Sequence, residues 1–143
     1  MPLRIELSLN PTDAEEHAIV LPLRAYNASK AGATTPEPIA LLIRDDNNEI
    51  LGGLYGRMFY QWLYVELLAV PEQARGQGMG SKLMQMAEDL AREKKCIGVW
   101  LDTFDFQAPG FYQKLGYSEL GQIVDYPPGH KRFFFQKRLT NDA

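Results

Sequence analysis

The sequence predicts a mixed α/β fold, a central sheet flanked by helices in a single domain over 1–143, and three observations carry that reading. Short apolar runs with strand-like alternation recur along the chain. A turn at Asp45-Asp46-Asn47-Asn48 joins two of them, and its residues tolerate left-handed backbone and cap their own turns, which reads as an antiparallel hairpin. An apolar strand, a glycine-rich turn, a long amphipathic helix and a further strand then follow one another between 62 and 103, a βαβ unit whose strands are parallel and whose crossover is right-handed.

Each element has its own signal. Leu3 to Leu9 alternates apolar and polar residues, as a half-buried strand does, and Thr12-Asp13-Ala14-Glu15 is a capping signal for a helix to about Asn27. Ser29 to Pro36 reads as a mobile connection. Ile39 to Arg44 and Glu49 to Tyr60 are the hairpin strands. Trp62 to Val70 is nearly all apolar with one charge, Glu66, as expected of a central strand covered on both faces. From Met79 the residues Leu83, Met86, Ala87, Leu90 and Ala91 recur at helical spacing, and Arg92, Lys94 and Lys95 gather at the negative end of the dipole, so a helix runs from about 78 to 95. Ile97 onward is a strand, Phe111 to Leu115 a short helix stopped by Gly116, and Tyr117–Val124 and Arg132–Leu139 are the last strands.

Composition narrows the function. With 143 residues and 45% hydrophobic content, one real core is the expectation. A net charge of −3 gives no general attraction to nucleic acid or to an anionic membrane. The first residues lack a basic segment followed by an apolar one, and no apolar run approaches the roughly 20 residues of a membrane span, so the expectation is a cytoplasmic protein. Cys96 is the sole cysteine, which excludes an internal disulfide and a cysteine metal cluster and leaves it as a small packed residue.

The segment Arg75-Gly76-Gln77-Gly78-Met79-Gly80-Ser81 is where chemistry concentrates. Glycines let backbone approach a ligand, the first helical amides have no intrahelical acceptor, and the positive end of the helix dipole favours anions; Arg75 adds a planar fork of donors. This predicts a phosphate cradle. A P-loop would end in Gly-Lys-Ser or Gly-Lys-Thr, whereas here Gly80-Ser81-Lys82 displaces the lysine. A dinucleotide fingerprint fits Gly76, Gly78 and Gly80, with Asp102 as a ribose acid, but Pro71 to Arg75 separate the strand from the first glycine where a tight turn has almost none.

The order of elements and Arg75-Gly76-Gln77-Gly78-Met79-Gly80 resemble the GNAT superfamily of acyl-CoA-dependent N-acyltransferases, whose pyrophosphate motif is Arg or Gln, two residues, Gly, one residue, then Gly or Ala. Ala108-Pro109-Gly110-Phe111-Tyr112-Gln113-Lys114-Leu115-Gly116-Tyr117 resembles the family's A-x-x-F-Y-x-K-x-G-F/Y signature, and the strong likeness covers about 62 to 117. It implies a mostly antiparallel sheet with one splayed parallel pair, acetyl-CoA (coenzyme A) as cofactor, and transfer of its acetyl group to a primary amine of a small molecule, a lysine or an N-terminus. The attack is direct, in a ternary complex, with Cys96 about 25 Å of helix away from the glycines and no acyl-enzyme. A non-catalytic acyl-CoA sensor is the other class the residues allow.

The resemblance also implies roles. Amides from Gly76 through Gln77, Gly78, Met79 and Gly80 to Ser81, with Arg75, hold pyrophosphate; Leu68 and Val70 match positions whose backbone pairs with pantetheine beside a bulge. The Leu68 amide then serves as donor to the thioester carbonyl. Tyr112 matches the family tyrosine near the sulfur, where its hydroxyl protonates or hydrogen-bonds the leaving group. Asp105 stands where many members have a cofactor-contacting asparagine, and an aspartate has no amide proton to donate. Glu66 is the base candidate, placed by period-two alternation on the face of Leu68 and Val70 unless a bulge intervenes; the competing expectation is a pair with an arginine such as Arg57.

For the acceptor, Tyr55, Arg57, Trp62, Tyr64, Asp102, Thr103 and the loop Asp125-Tyr126-Pro127-Pro128-Gly129-His130 are candidate walls, and acids at 66, 102, 105 and 125 favour a cationic amine. Phe133-Phe134-Phe135 suits either an interior strand or one pairing across a homodimer.

Overall fold

The computed structural model describes residues 1–139. The chain forms two compact units, Met1–Thr35 and a second beginning at Pro36.

The first unit is built on α1 (Asp13–Ala31). Thr12 accepts from the Glu15 amide, and the Glu15 carboxylate accepts from the Thr12 amide at 2.8 Å, so the capping box read from the sequence is formed. The helix runs past Asn27 to Ala31, beyond the expected end, because Ala28 to Ala31 offer no breaker; Gly32, at φ +86°, stops it. The connection is therefore shorter than the expected Ser29–Pro36. The expected strand at Leu3–Leu9 does not form. Alternation specifies two faces, but a strand also needs a neighbour to close its hydrogen bonds, and the ladders of the sheet involve residues 37–138.

The second unit is a six-stranded sheet with α2 and α3. Its strands are β1 (Glu37–Arg44), β2 (Ile50–Phe59), β3 (Trp62–Ala69), β4 (Gly98–Phe104), β5 (Ser118–Val124) and β6 (Lys131–Arg138), in the order β1-β2-β3-β4-β6-β5. Every neighbouring pair is antiparallel except β3 and β4. One parallel pair is not the doubly wound parallel sheet of a dinucleotide domain, which removes that reading of the glycines. β6 lies between β4 and β5, so both of its edges are paired and it has none to offer a second copy.

α2 (Met79–Glu93) turns Leu83, Met84, Ala87 and Ala91 inward and contacts β2, β3 and β4. Leu63, Val65, Val99, Leu101 and Phe135 meet them to form the core. α3 (Pro109–Lys114) adds Tyr112 to that core. Cover on both faces of β3 holds only in its first half: Leu63 and Val65 are buried, whereas Glu66, Leu67 and Ala69 are exposed. Among the described residues no helix is long and apolar enough to cross a membrane.

Candidate active site

The site begins with one extra residue in β3. Tyr55 of β2 pairs with Leu67, and Gly56 pairs with Val65, leaving Glu66 as the additional residue of a β-bulge. A bulge inverts the alternation beyond it. Leu68 and Val70 accordingly join Val65 in packing against the core, and Glu66 is not their face-mate, which corrects the expectation from simple period-two counting.

The same point ends the parallel pairing. β3 and β4 are in register from Trp62 and Gly98 as far as Val65 and Leu101, and no further. Past the bulge the strands part, and the backbone of 66–70 that faces β4 is left without a strand partner. The gap is a cleft of about 800 Å³ lined on the β3 side by Val65 to Val70, at the helix end by Arg75 and Gly80, and on the β4 side by Asp102, Thr103, Phe106, Gln107, Ala108, Phe111 and Tyr112. That volume suits a cofactor-sized ligand.

At its α2 end, a 3-10 turn (Glu72–Ala74) carries the chain from β3 to the glycines. Gly76 and Gly78 take φ of +82° and +73°, a conformation that a side chain would strain, and a Cβ at either would meet only open space. Gly78 is the N-cap of α2 and contributes no side chain, so the amides of Met79, Gly80 and Ser81 have neither an intrahelical acceptor nor a side-chain cap. Nε of Arg75 donates to the Val70 carbonyl at 3.4 Å. Arg75 is thereby tied back to the strand end, and it lines the cleft beside Gly80.

Tyr112 is buried and lines the cleft. Its phenol is pushed up to about 12, first by burial and then by the charge of Asp102, and no hydrogen bond to another described residue holds it. It is a protonated hydroxyl at any neutral pH. Glu66 is exposed on the cleft wall, and no ion pair among the described residues involves it. Arg57, the competing partner, lies instead over the Tyr64 ring at 5.8 Å.

The other acids are engaged. Asp102 receives Nε and Nη2 of Arg132 at 2.9 and 2.6 Å and the Tyr64 hydroxyl at 2.8 Å. Tyr64 is itself pushed up to about 12 by burial and by that bond. Asp105 takes His130 Nδ1 at 2.9 Å and the Lys131 amide at 2.9 Å, contacts that hold its carboxyl below the usual range against a raising effect of burial. It is not among the residues lining the cleft, so the position matched to the family asparagine here ties β4 to the loop before β6. Asp125 accepts from the Gly129 amide at 3.3 Å. Four acids seen in sequence thus leave Glu66 as the carboxylate facing the cleft unpaired. Tyr55, Arg57 and Trp62 do not line it.

Cys96 is buried, with its thiol pushed up by burial and then by Glu37, which makes it unreactive as an acyl carrier. Arg132, Phe106 and Gln107 escaped the sequence reading. Arg132 sits 4.8 to 5.5 Å from the rings of Tyr126, Phe104 and Phe134, an enclosure made by long-range packing that no local spacing announces.

The acetyltransferase (GNAT) family profile matches residues 6–117. The blasticidin-S acetyltransferase of Streptomyces morookaense is 50% identical over 119 residues, 82% of this chain and 88% of that protein. An acetyltransferase of Agrobacterium fabrum (strain C58) is 40% identical over 128 residues, 89% of this chain and 93% of that one. A crystal structure of an acetyltransferase from Bacillus cereus superposes with a TM-score of 0.80 at 37% identity, covering 94% of this chain and 98% of the other. The bulged strand, the parted parallel pair and the glycine-rich turn agree with what the resemblance in the sequence implies for the fold, and the chain belongs to the acetyltransferase (GNAT) family, as an acetyltransferase that uses acetyl-CoA.

Proposed function

We propose that the acceptor is a primary amine on a small molecule, that it attacks the acetyl thioester directly in a ternary complex, and that blasticidin S, named in the 50%-identical relative, is the first acceptor to test. The family profile spans both compact units, which supports reading the chain as one acetyltransferase domain.

The residues present fit acetyl-CoA. Amides at 76–81, open space above Gly76 and Gly78, and the Arg75 fork suit a pyrophosphate. The backbone from Leu68 to Val70, paired with β2 through Leu68 and Ala69 but without a strand partner on the side of β4, suits an extended arm bearing amides. When bound, acetyl-CoA supplies an acetyl group activated as a thioester. The remaining tasks fall to the chain. In this reading the Leu68 amide donates to the carbonyl oxygen as it gains negative charge.

Tyr112, which lines the same cleft, donates a hydrogen bond to the departing sulfur in this reading. A phenol near 12 does not readily surrender its proton to a thiolate whose own value is about 8.5, so its contribution is hydrogen bonding rather than complete proton transfer. Glu66 removes the ammonium proton, directly or through water, because a protonated amine has no lone pair. The observation carrying this reading is the bulge: one extra residue opens the cleft and sets an unpaired carboxylate on its wall.

Thiol release from acetyl-CoA in the presence of blasticidin S tests the proposal, with simple amines and lysine peptides for comparison. The expected result is turnover with the small molecule and little with the peptides; faster turnover of peptides would overturn the substrate class. In Glu66→Gln the acid limb of the kcat/KM profile should shrink to the acceptor's own titration. An intact profile removes the base role from Glu66.

A further inference from the structure

Gln107 follows β4 in the turn to α3 and faces the cleft with Leu68, Val70 and Tyr112. Its side-chain oxygen accepts two hydrogen bonds, from the Thr103 hydroxyl at 2.9 Å and from the Phe104 amide at 2.8 Å. A backbone N–H can only donate, so the end of the carboxamide facing Phe104 is oxygen and the other end is nitrogen. The turn is closed by the Gln107 amide donating to the Phe104 carbonyl at 3.0 Å, and Thr103 is buried, so both anchors are fixed. What remains is Nε2, with two N–H donors and no partner among the described residues. The lock removes the rotamer freedom that a glutamine otherwise loses on binding.

We infer that Gln107 is a cofactor-binding residue whose Nε2 donates to an amide carbonyl of the pantetheine arm of acetyl-CoA. The match is one of hydrogen-bond polarity. The arm carries amide carbonyls, which accept, whereas the reacting end of an amine brings donors and would leave Nε2 unanswered. Asp105 cannot serve here, since its carboxylate has acceptors only and both oxygens are engaged. The inference rests on acetyl-CoA occupying this cleft.

The test is calorimetric titration of the whole chain with coenzyme A and with 3′-phospho-ADP, which retains the phosphates and lacks the arm. Gln107→Glu keeps the size and the locked acceptor oxygen and replaces the donor with an oxygen. The expected result is a Kd for coenzyme A raised about tenfold or more, with that for 3′-phospho-ADP within about twofold of the parent. Gln107→Met, which removes the donor without adding charge, should show the same selectivity. Unchanged coenzyme A affinity in both variants, or equal weakening of both ligands, overturns the assignment of Gln107 alone. If the unsubstituted chain binds neither ligand, the cleft is not the cofactor site and the inference falls with that reading.

Discussion

Tyr112 shows how much a single residue inherits from its surroundings. The sequence places it in a short aromatic helix, and burial and the charge of Asp102 decide that the hydroxyl of this cleft-lining residue stays protonated. Tyr112→Phe keeps the ring packing against Phe111, Tyr117 and Phe135 and removes only the hydroxyl. We expect kcat to fall by about tenfold to a hundredfold, with coenzyme A affinity and melting temperature nearly unchanged. Steady-state kinetics beside calorimetry check this, and a parental kcat would mean that the tyrosine only packs. Glu66 and Gln107 carry the opposite lesson. The lone charge in an apolar strand was conspicuous in the sequence, whereas Gln107 looks ordinary until the Thr103 and Phe104 contacts are seen.

Among the elements, α2 does two jobs. Its N-terminus presents amides to the cleft, and its buried face carries Glu88, a charge inside the core. Glu88 accepts from the Tyr117 hydroxyl at 2.8 Å and from Lys137 Nζ at 2.9 Å, with Arg92 at 3.8 Å. Lys137 also donates to the Leu115 carbonyl at 2.9 Å, the C-cap of α3. The cluster ties α2 to β6 and to the end of the helix bearing Tyr112. Glu88→Ala leaves Lys137 and Tyr117 without their acceptor and should cost about 3–5 kcal/mol, while Glu88→Gln, which keeps an acceptor, should cost less. Urea midpoints with unchanged m-values measure both, and a midpoint shift near zero for the alanine variant would contradict the role given to the cluster.

At the scale of the molecule, three tyrosines make stability depend on alkaline pH. Tyr64 and Tyr112 are pushed up to about 12, and Tyr117 is raised further by burial and by Glu88. Their neutral forms are favoured in the native state. Below about 10 this stabilisation is complete; between about 10 and 12 the unfolded chain loses protons that the native chain retains, so stability falls as pH rises. Urea midpoints at pH 8 and 11 should therefore differ, with the lower value at pH 11, and Tyr117→Phe should reduce the difference. The glycine-rich turn, the capping box, the hairpin and the βαβ unit were legible in the chain because each is fixed by neighbours in sequence: caps within three residues, glycines where φ turns positive, apolar residues at one period. The same local reasoning failed at Leu3–Leu9, where the pattern was present and a pairing partner was not, and at the acids, whose ownership by Arg132, His130 and Lys131 depends on strands about 25 to 30 residues apart. By itself the sequence determined the elements from the first helix onward, their order and the glycine-rich turn before α2, since those arise from backbone preferences and short spacings. Only the tertiary structure decided where β3 gains its extra residue, which carboxylate on the cleft wall stays unpaired and which end of the Gln107 amide is engaged, because register and hydrogen-bond polarity are properties of two segments meeting and belong to neither alone.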